Sequence, residues 1–234
     1  MKYALVTGGT RGIGSGVSRS LARAGYRVVA TGVSDQEVND FESLEGVVAR
    51  KLDVTSQEQV DAMIASFEQL DAIVNCAGII QRDGREFEPD YFAQTLEVNL
   101  TGTLRTCHAG RAKLIESGGS IVNTASMLSF FGSASAPGYA ASKGGVAQLT
   151  KSLAAAWAME GVRVNAVAPG WVATELTRPL MESDERSVAI LSRTPMGRWG
   201  EPDEIGDVVL FLLSNQARFV TGAILPVDGG YSIV

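Results

Sequence analysis

Apolar residues along the chain gather in short runs separated by longer amphipathic stretches, and the two alternate from one end to the other. The short runs fall at 3–7, 27–32, 47–52, 71–75, 119–125, 162–168 and 222–227. Most are nearly continuous, as in Arg27-Val28-Val29-Ala30, the pattern of parallel strands covered on both faces. Helical periodicity fills 13–24, 56–69, 89–117, 138–160 and 203–214. Ser56 followed by Gln59 reads as a capping box, and Pro202 suits the first turn of the last long helix. Alternation with right-handed crossovers predicts an α/β fold, one doubly wound parallel sheet of about seven strands with helices on both faces. A single domain over 1–234 is expected, with ligands at the carboxyl ends of the strands.

Composition narrows the partners. With 234 residues, 45% hydrophobic and 20% charged, the chain needs no disulfide or metal to hold a core. A net charge of −6 argues against nucleic acid or an anionic membrane as partner, since both require a basic face. Cys76 and Cys107 read as small core residues rather than a disulfide framework. His108 is the only histidine, so neither a histidine-based metal site nor a Ser-His-Asp triad is expected. The stretch Met1 to Thr7 is too short for a signal peptide and no later run is long enough to span a bilayer, which makes the cytoplasm the expected location.

The first strand runs into Thr7-Gly8-Gly9-Thr10-Arg11-Gly12-Ile13-Gly14, and a helix follows. Such a loop points main-chain N–H groups at the positive end of the helix dipole, and its glycines let a pyrophosphate approach without a Cβ in the way. A plain tight turn is the alternative for the glycines alone. Further on, Tyr139 and Lys143 lie four apart, on one face of a predicted helix. By itself that pair is equally compatible with a surface lysine.

The spacing Gly8-x-x-x-Gly12-x-Gly14 resembles the cofactor loop of the short-chain dehydrogenase/reductases, and the family's other landmarks follow in order over essentially the whole chain. Asp53-Val54 resembles the pair that holds the adenine. Asn75-Cys76-Ala77-Gly78 resembles the Asn-Asn-Ala-Gly turn, with cysteine where asparagine is more usual. Asn99, Ser126, Tyr139 and Lys143 fall where the family's catalytic tetrad falls, with Ser126 thirteen residues before Tyr139. Pro169-Gly170, Val172 and Thr174 match the segment that contacts the nicotinamide carboxamide. The resemblance implies a Rossmann-like fold and reversible hydride transfer between NAD(P) and a small alcohol or carbonyl compound. Cofactor contacts are then expected at Gly8, Thr10, Arg11, Gly12, Ile13, Gly14, Asp53, Val54, Asn75, Ala77, Gly78, Tyr139, Lys143, Pro169, Gly170, Val172 and Thr174.

In that reading Tyr139 is the general acid/base. A lysine ammonium and an oxidised nicotinamide, both cationic, favour its phenolate and lower its pKa. Ser126 donates to the carbonyl or alkoxide oxygen, leaving Ser129, Ser133 and Ser135 as loop polars. Lys143 holds the nicotinamide ribose, and Asn99 holds a water leading from Lys143 to solvent; on its residue type alone Asn99 could equally be an exposed helix polar. Gly32 stands where NAD-preferring relatives place an Asp, while Arg11, with Thr31 or Ser34, could meet a 2′-phosphate. The expectation leans to NADP, with Asp35 the carboxylate able to oppose it. The stretch between the second and third strands looks shorter than is usual in the family.

A substrate lid is expected over Glu175–Arg193, with Arg178, Arg186 and Arg193 as candidate carboxylate ligands. Ala77 to Arg82, Ala125 to Phe130 and Pro195 to Gly200 resemble the sugar-acid branch of the family, which includes 2-dehydro-3-deoxy-D-gluconate and gluconate 5-dehydrogenases. Arg82 would then stand at the mouth of the site, and part of the third segment would be scaffold. A 3-oxoacyl-carrier-protein reductase is the alternative within the family, and a catalytically silent dinucleotide sensor the alternative outside it. The family also implies a homotetramer or homodimer, with the apolar tail Val227–Val234 buried against a neighbour.

Overall fold

All seven apolar runs are strands in the computed structural model, which describes residues 1–234. They are β1 (Lys2–Thr7), β2 (Tyr26–Gly32), β3 (Val47–Lys51), β4 (Ala72–Asn75), β5 (Ser120–Thr124), β6 (Arg163–Pro169) and β7 (Ile224–Val227). The helices are α1 (Gly12–Arg23), α2 (Asp35–Asn39), α3 (Gln57–Ala65), α4 (Pro89–Leu96), α5 (Gly102–Ser117), α6 (Pro137–Trp157), α7 (Arg178–Met181), α8 (Asp184–Ser192) and α9 (Pro202–Leu213). The strands form one parallel sheet in the order β3-β2-β1-β4-β5-β6-β7. Strand order therefore reverses between β1 and β4, and a crevice opens beyond their carboxyl ends.

The period-2 alternation of side chains sorts the core into two layers. Leu5, Ile73, Ile121 and Val164 are partners across four strands and pack under α3, α5 and α6 with Val60, Leu114 and Trp157. Val6, Val74 and Val122 form the adjacent row and point the other way, onto Val17 and Leu21 of α1 and Ile205, Val209 and Leu212 of α9. Burying both faces explains why the strands read as unbroken apolar runs. Helices α1 and α9 approach closely because both are glycine at the crossing. A Cβ on Gly16 would fall 2.4 Å from the Pro202 carbonyl carbon, and one on Gly206 would fall 2.7 Å from the Gly16 oxygen.

Three differences from the predicted elements have local causes. The helix expected over 89–117 is α4 and α5 joined by a five-residue π-helical segment, Glu97–Thr101, which residue periodicity does not register. Helices α2, α7 and α8 are too short to show a reliable period and depend on caps and packing; Ser34, for example, accepts from the Glu37 N–H. The Ser56 box is half formed, because Ser56 accepts from the Gln59 N–H but the Gln59 side-chain Oε1 accepts from the Asp53 N–H instead of the Ser56 N–H. Cys107 is fully buried, Cys76 partly, and both thiols are free, pushed up by burial to about 12 and about 11. No helix is long and apolar enough to cross a membrane.

Candidate active site

The glycine loop joins β1 to α1 at the reversal of strand order. Gly8 and Gly12 have φ of 62° and 52°, in the region that disfavours a side chain. A Cβ on Gly8 would also lie 2.8 Å from the Ala77 Cα, so the loop and the turn after β4 touch main chain to main chain. The N-cap of α1 is Arg11, which makes no side-chain cap, and the N–H groups of Gly12, Ile13 and Gly14 have no acceptor within the chain. Three free donors at the positive end of a 12-residue helix fit the pyrophosphate of a dinucleotide. Thr10 is buried, its hydroxyl 3.5 Å from the Thr31 carbonyl. At the far end of the crevice Asp53 closes a turn by accepting from the Thr55 N–H and hydroxyl, and Val54 is buried against Gly102.

At the end of β2 the carboxylate that matters is Glu37, which sequence reasoning missed. It folds back from α2 over Gly32, where a Cβ would lie 3.0 Å from Glu37 Oε2. Its Oε2 accepts from the Val33 N–H at 3.0 Å and its Oε1 pairs with Arg11 at 3.0 Å. Asp35, the carboxylate able to oppose a 2′-phosphate, is turned outward onto Lys51 of β3 at 2.8 Å. Thr31 is fully buried, whereas the Ser34 hydroxyl caps α2 by accepting from the Glu37 N–H. The short β2–β3 connection is what brings α2 and Glu37 onto the crevice; a carboxylate five residues after a missing Asp carries no sequence pattern of its own.

The turn after β4 is held from the far side. Asn75 spends its side chain in the core, donating to Asn123 at 2.9 Å and to the Cys107 sulfur at 3.3 Å and accepting from the Thr106 hydroxyl. Any cofactor contact at Asn75 is thus left to its main chain. Asn99 is fully buried in the π-helical segment and not an exposed helix polar. Its carboxamide accepts from the Ile79 N–H at 2.8 Å and donates to the Ile79 carbonyl at 2.9 Å and to Ser142 on α6 at 3.0 Å. Gly78 lies between Asn99 and Lys143, a Cβ there falling 3.3 Å from Asn99 Oδ1 and 3.7 Å from Lys143 Nζ.

Ser126, Tyr139 and Lys143 converge beside this turn. Ser126 is buried and opens a short 3-10 turn, its hydroxyl accepting from the Leu128 N–H. Ser129 is more than a loop polar: it accepts from the Ser126 N–H at 3.2 Å and donates to the Lys143 carbonyl at 2.7 Å, tying β5 to α6. The side chains of Ser133 and Ser135 bond only within this pair, in the exposed loop. Lys143 is 4% exposed; its Nζ donates to the Thr124 carbonyl at 2.6 Å and lies 5.6 Å from the Tyr139 ring centroid. Burial pushes Lys143 down to about 8. Burial also pushes the Tyr139 phenol up to about 12, the neighbouring Ser126 hydroxyl opposing the rise and the Glu86 carboxylate adding to it. The protein alone thus raises the phenol where the sequence reading, which counted two neighbouring cations, expected a fall. The lysine's nearest partner is a carbonyl and not the phenol.

The other wall comes from the segment after β6. Gly170 is packed on Asp228, where a Cβ would fall 2.6 Å from the Asp228 Cβ. Val172 is buried and bridges in parallel to Gly200, and Thr174 faces Gly12 across the crevice. A cavity of about 370 Å³ lies between Gly12 and the start of α7, lined also by Thr174, Glu175 and Arg178; it does not reach Tyr139. Over 175–193 the chain forms α7 and α8. Arg82 donates to the Leu176 carbonyl there, so it straps this segment to the turn after β4. Arg178 faces Glu175 at 3.8 Å, Arg193 stacks on the Tyr231 ring at 4.4 Å, and Arg186 is exposed. The Pro195–Gly200 segment is largely scaffold: Arg198 pairs with Glu204 of α9, and Trp199 donates to Ser187 of α8. The C-terminal Ile233 and Val234 are 82% and 71% exposed in the single chain.

Comparison with known proteins agrees with this geometry. The family model described as Enoyl-(Acyl carrier protein) reductase matches residues 8–232. The chain is 42% identical to a 2-dehydro-3-deoxy-D-gluconate 5-dehydrogenase of Bacillus subtilis, over 98% of this chain and 94% of that protein. It is 37% identical to a 3-oxoacyl-[acyl-carrier-protein] reductase of Vibrio cholerae, over 100% and 98%. Among solved structures, a gluconate 5-dehydrogenase from Burkholderia cenocepacia in complex with NADP and tartrate superposes with a TM-score of 0.91 at 35% identity, covering 100% of this chain and 96% of that one. Identity at this level from end to end, together with a family model that matches nearly the whole chain, shows that the chain belongs to the short-chain dehydrogenase/reductase family of NAD(P)-dependent oxidoreductases.

Proposed function

We propose that this protein interconverts a secondary alcohol and its ketone on a small sugar acid, with Tyr139 as general acid/base. The observation that carries the reading is the convergence of Tyr139, buried Lys143 and Ser126 beside the Gly8–Ala77 crevice. Gly8, Thr10, Arg11, Gly12, Ile13, Gly14, Asp53, Val54, Asn75, Ala77, Gly78, Pro169, Gly170, Val172 and Thr174 would hold the dinucleotide, whose nicotinamide supplies or accepts the hydride when bound. Ser126 donates to the substrate oxygen, and Tyr139 takes the alcohol proton or returns it to the carbonyl. Lys143 keeps a positive charge beside the phenol, and Asn99 fixes the turn that faces both. The segment 175–193 acts as the lid, and Arg82, released from Leu176 as the lid opens, is the cation placed to meet a carboxylate. The relatives named for sugar-acid dehydrogenation support this substrate class over an acyl thioester.

Tyr139→Phe is expected to abolish turnover in a panel of sugar acids and acyl thioesters run with NAD and NADP, while NAD(P)H still binds by fluorescence titration. Turnover persisting in that variant sinks the mechanism, and preference for the thioesters sinks the substrate class. Lys143 carries its charge below about 8 and loses it above, whereas the phenol stays protonated to about 12. Carbonyl reduction, as kcat/KM, is therefore expected to be level at neutral pH and to fall as pH rises through about 8; a flat profile to pH 10 contradicts the role given to Lys143. Glu37 shares Arg11 with any 2′-phosphate, and the Glu37 charge repels that phosphate. Glu37→Gln is thus expected to tighten NADPH binding about tenfold relative to NADH, and an unchanged ratio removes Glu37 from cofactor choice. We further propose a homotetramer that covers Leu104 and Ile115 of α5, Leu225 of β7 and the apolar C-terminus, all exposed in the single chain. A monomer by light scattering refutes it.

A further inference from the structure

The chain buries one acidic side chain that the mechanism does not use. Glu86 sits in a 3-10 turn between exposed Arg85 and Phe87, yet it is 1% exposed. It takes part in none of the ion pairs of the structure. The two arginines near it in sequence are turned elsewhere, Arg85 over the Tyr91 ring and Arg82 to the Leu176 carbonyl. Both of its oxygens are instead spent on main-chain donors: Oε1 accepts from the Gln81 N–H and Oε2 from the Tyr139 N–H, each at 2.7 Å.

The second of these bonds falls where α6 needs it. The N-cap of α6 is Ala136, which has no side-chain oxygen, and Pro137 has no N–H. Ala140 already donates to the Ala136 carbonyl, so Gly138 and Tyr139 are the free donors of the first turn. Glu86 reaches in from another part of the chain and caps Tyr139, at the positive end of a 21-residue helix. The local sequence is cut to admit it, because a Cβ on Gly138 would lie 2.9 Å from Glu86 Oε2. The same carboxylate holds Gln81, so the turn carrying Ile79 is clamped twice to α6, through Asn99 and Ser142 on one side and through Glu86 and Tyr139 on the other.

We propose that Glu86 is a positioning residue for the reaction: its carboxylate caps the helix at the main chain of Tyr139 and locks that residue to the Ile79–Arg82 turn. The proposal rests on the reading of Tyr139 as acid/base. The charged and titratable groups about that phenol are Glu86 from the 3-10 turn, Lys143 from its own helix and the Ser126 hydroxyl from the end of β5; Cys76, at the end of β4, acts on Lys143. Of these, Glu86 alone raises the phenol by its charge. Removing the charge lowers the phenol pKa, so the acid limb of alcohol oxidation moves to lower pH.

Glu86→Gln keeps the volume and one acceptor oxygen but loses the charge and one main-chain bond; Glu86→Ala loses both bonds. In the full-length enzyme, Glu86→Gln is expected to lower kcat about tenfold and Glu86→Ala about a hundredfold. NAD(P)H affinity by fluorescence should stay within about twofold of the parent in both, because no dinucleotide contact is removed. The oxidation profile of Glu86→Gln should shift to lower pH, and the Gln81 and Tyr139 amides should exchange hydrogen faster. A Glu86→Gln enzyme whose pH profile and kcat match the parent overturns the proposal. So does one that loses thermal stability alone, since Glu86 would then be only a structural cap. Tyr139→Phe is run alongside: if that variant turns over, the acid/base reading itself fails, whereas an inert Tyr139→Phe beside an unchanged Glu86→Gln defeats only the role of Glu86.

Discussion

Two main chains touch where the strand order reverses, and the site is built outward from that contact. The turn after β4 sits on the end of β1, with the Cys76 N–H on the Thr7 carbonyl at 3.0 Å and the Ala77 N–H on the Thr7 hydroxyl at 3.3 Å. Gly8 has no side chain to hold the two apart. The contact leaves the first N–H groups of α1 facing the crevice from one side and Gly78, Asn99 and Lys143 lining it from the other. A larger residue at Gly8 would need both a positive φ and a wider gap, so anion binding and the catalytic wall depend on a single backbone approach.

The helix that carries Tyr139 and Lys143 is fixed by its surroundings more than by its own sequence. Its N-cap contributes no side chain, and its first turn is held by Glu86. Ser142 ties it to Asn99, and the Lys143 carbonyl accepts from Ser129. Every anchor comes from another element, which keeps the phenol and the ammonium in place in a partly dry site. Dryness also sets their chemistry. Burial drives the phenol up to about 12 and the lysine down to about 8, so the protein stores the proton on tyrosine and leaves the lysine close to its titration point.

Much of this was legible along the chain. The central strands, buried on both faces, leave unbroken apolar runs, and a helix that starts on glycines leaves a spacing. Tyr139 and Lys143 are four apart because a helix turns every 3.6 residues. Glu37 and Glu86 left no such trace: Glu37 folds back on the Val33 N–H and pairs with Arg11 of a distant loop, Glu86 holds the main-chain N–H groups of Gln81 and Tyr139, and no residue spacing marks contacts of either kind. Asp35 was the more visible acid at the end of β2, yet it faces Lys51 and solvent. The π-helical segment that buries Asn99 was equally silent, since one turn of altered winding does not change which residues are apolar.

The order of apolar runs, the glycine spacing and the Ser126, Tyr139 and Lys143 set follow from local periodicity and residue chemistry, so they belong to the amino-acid sequence as read in one dimension. Which carboxylate covers Gly32, which one caps α6, and whether the phenol or the lysine bears the cost of burial were decided only when strand ends far apart in sequence met at one crevice. Those outcomes depend on distance and desolvation, and neither exists until the sheet has closed around the site.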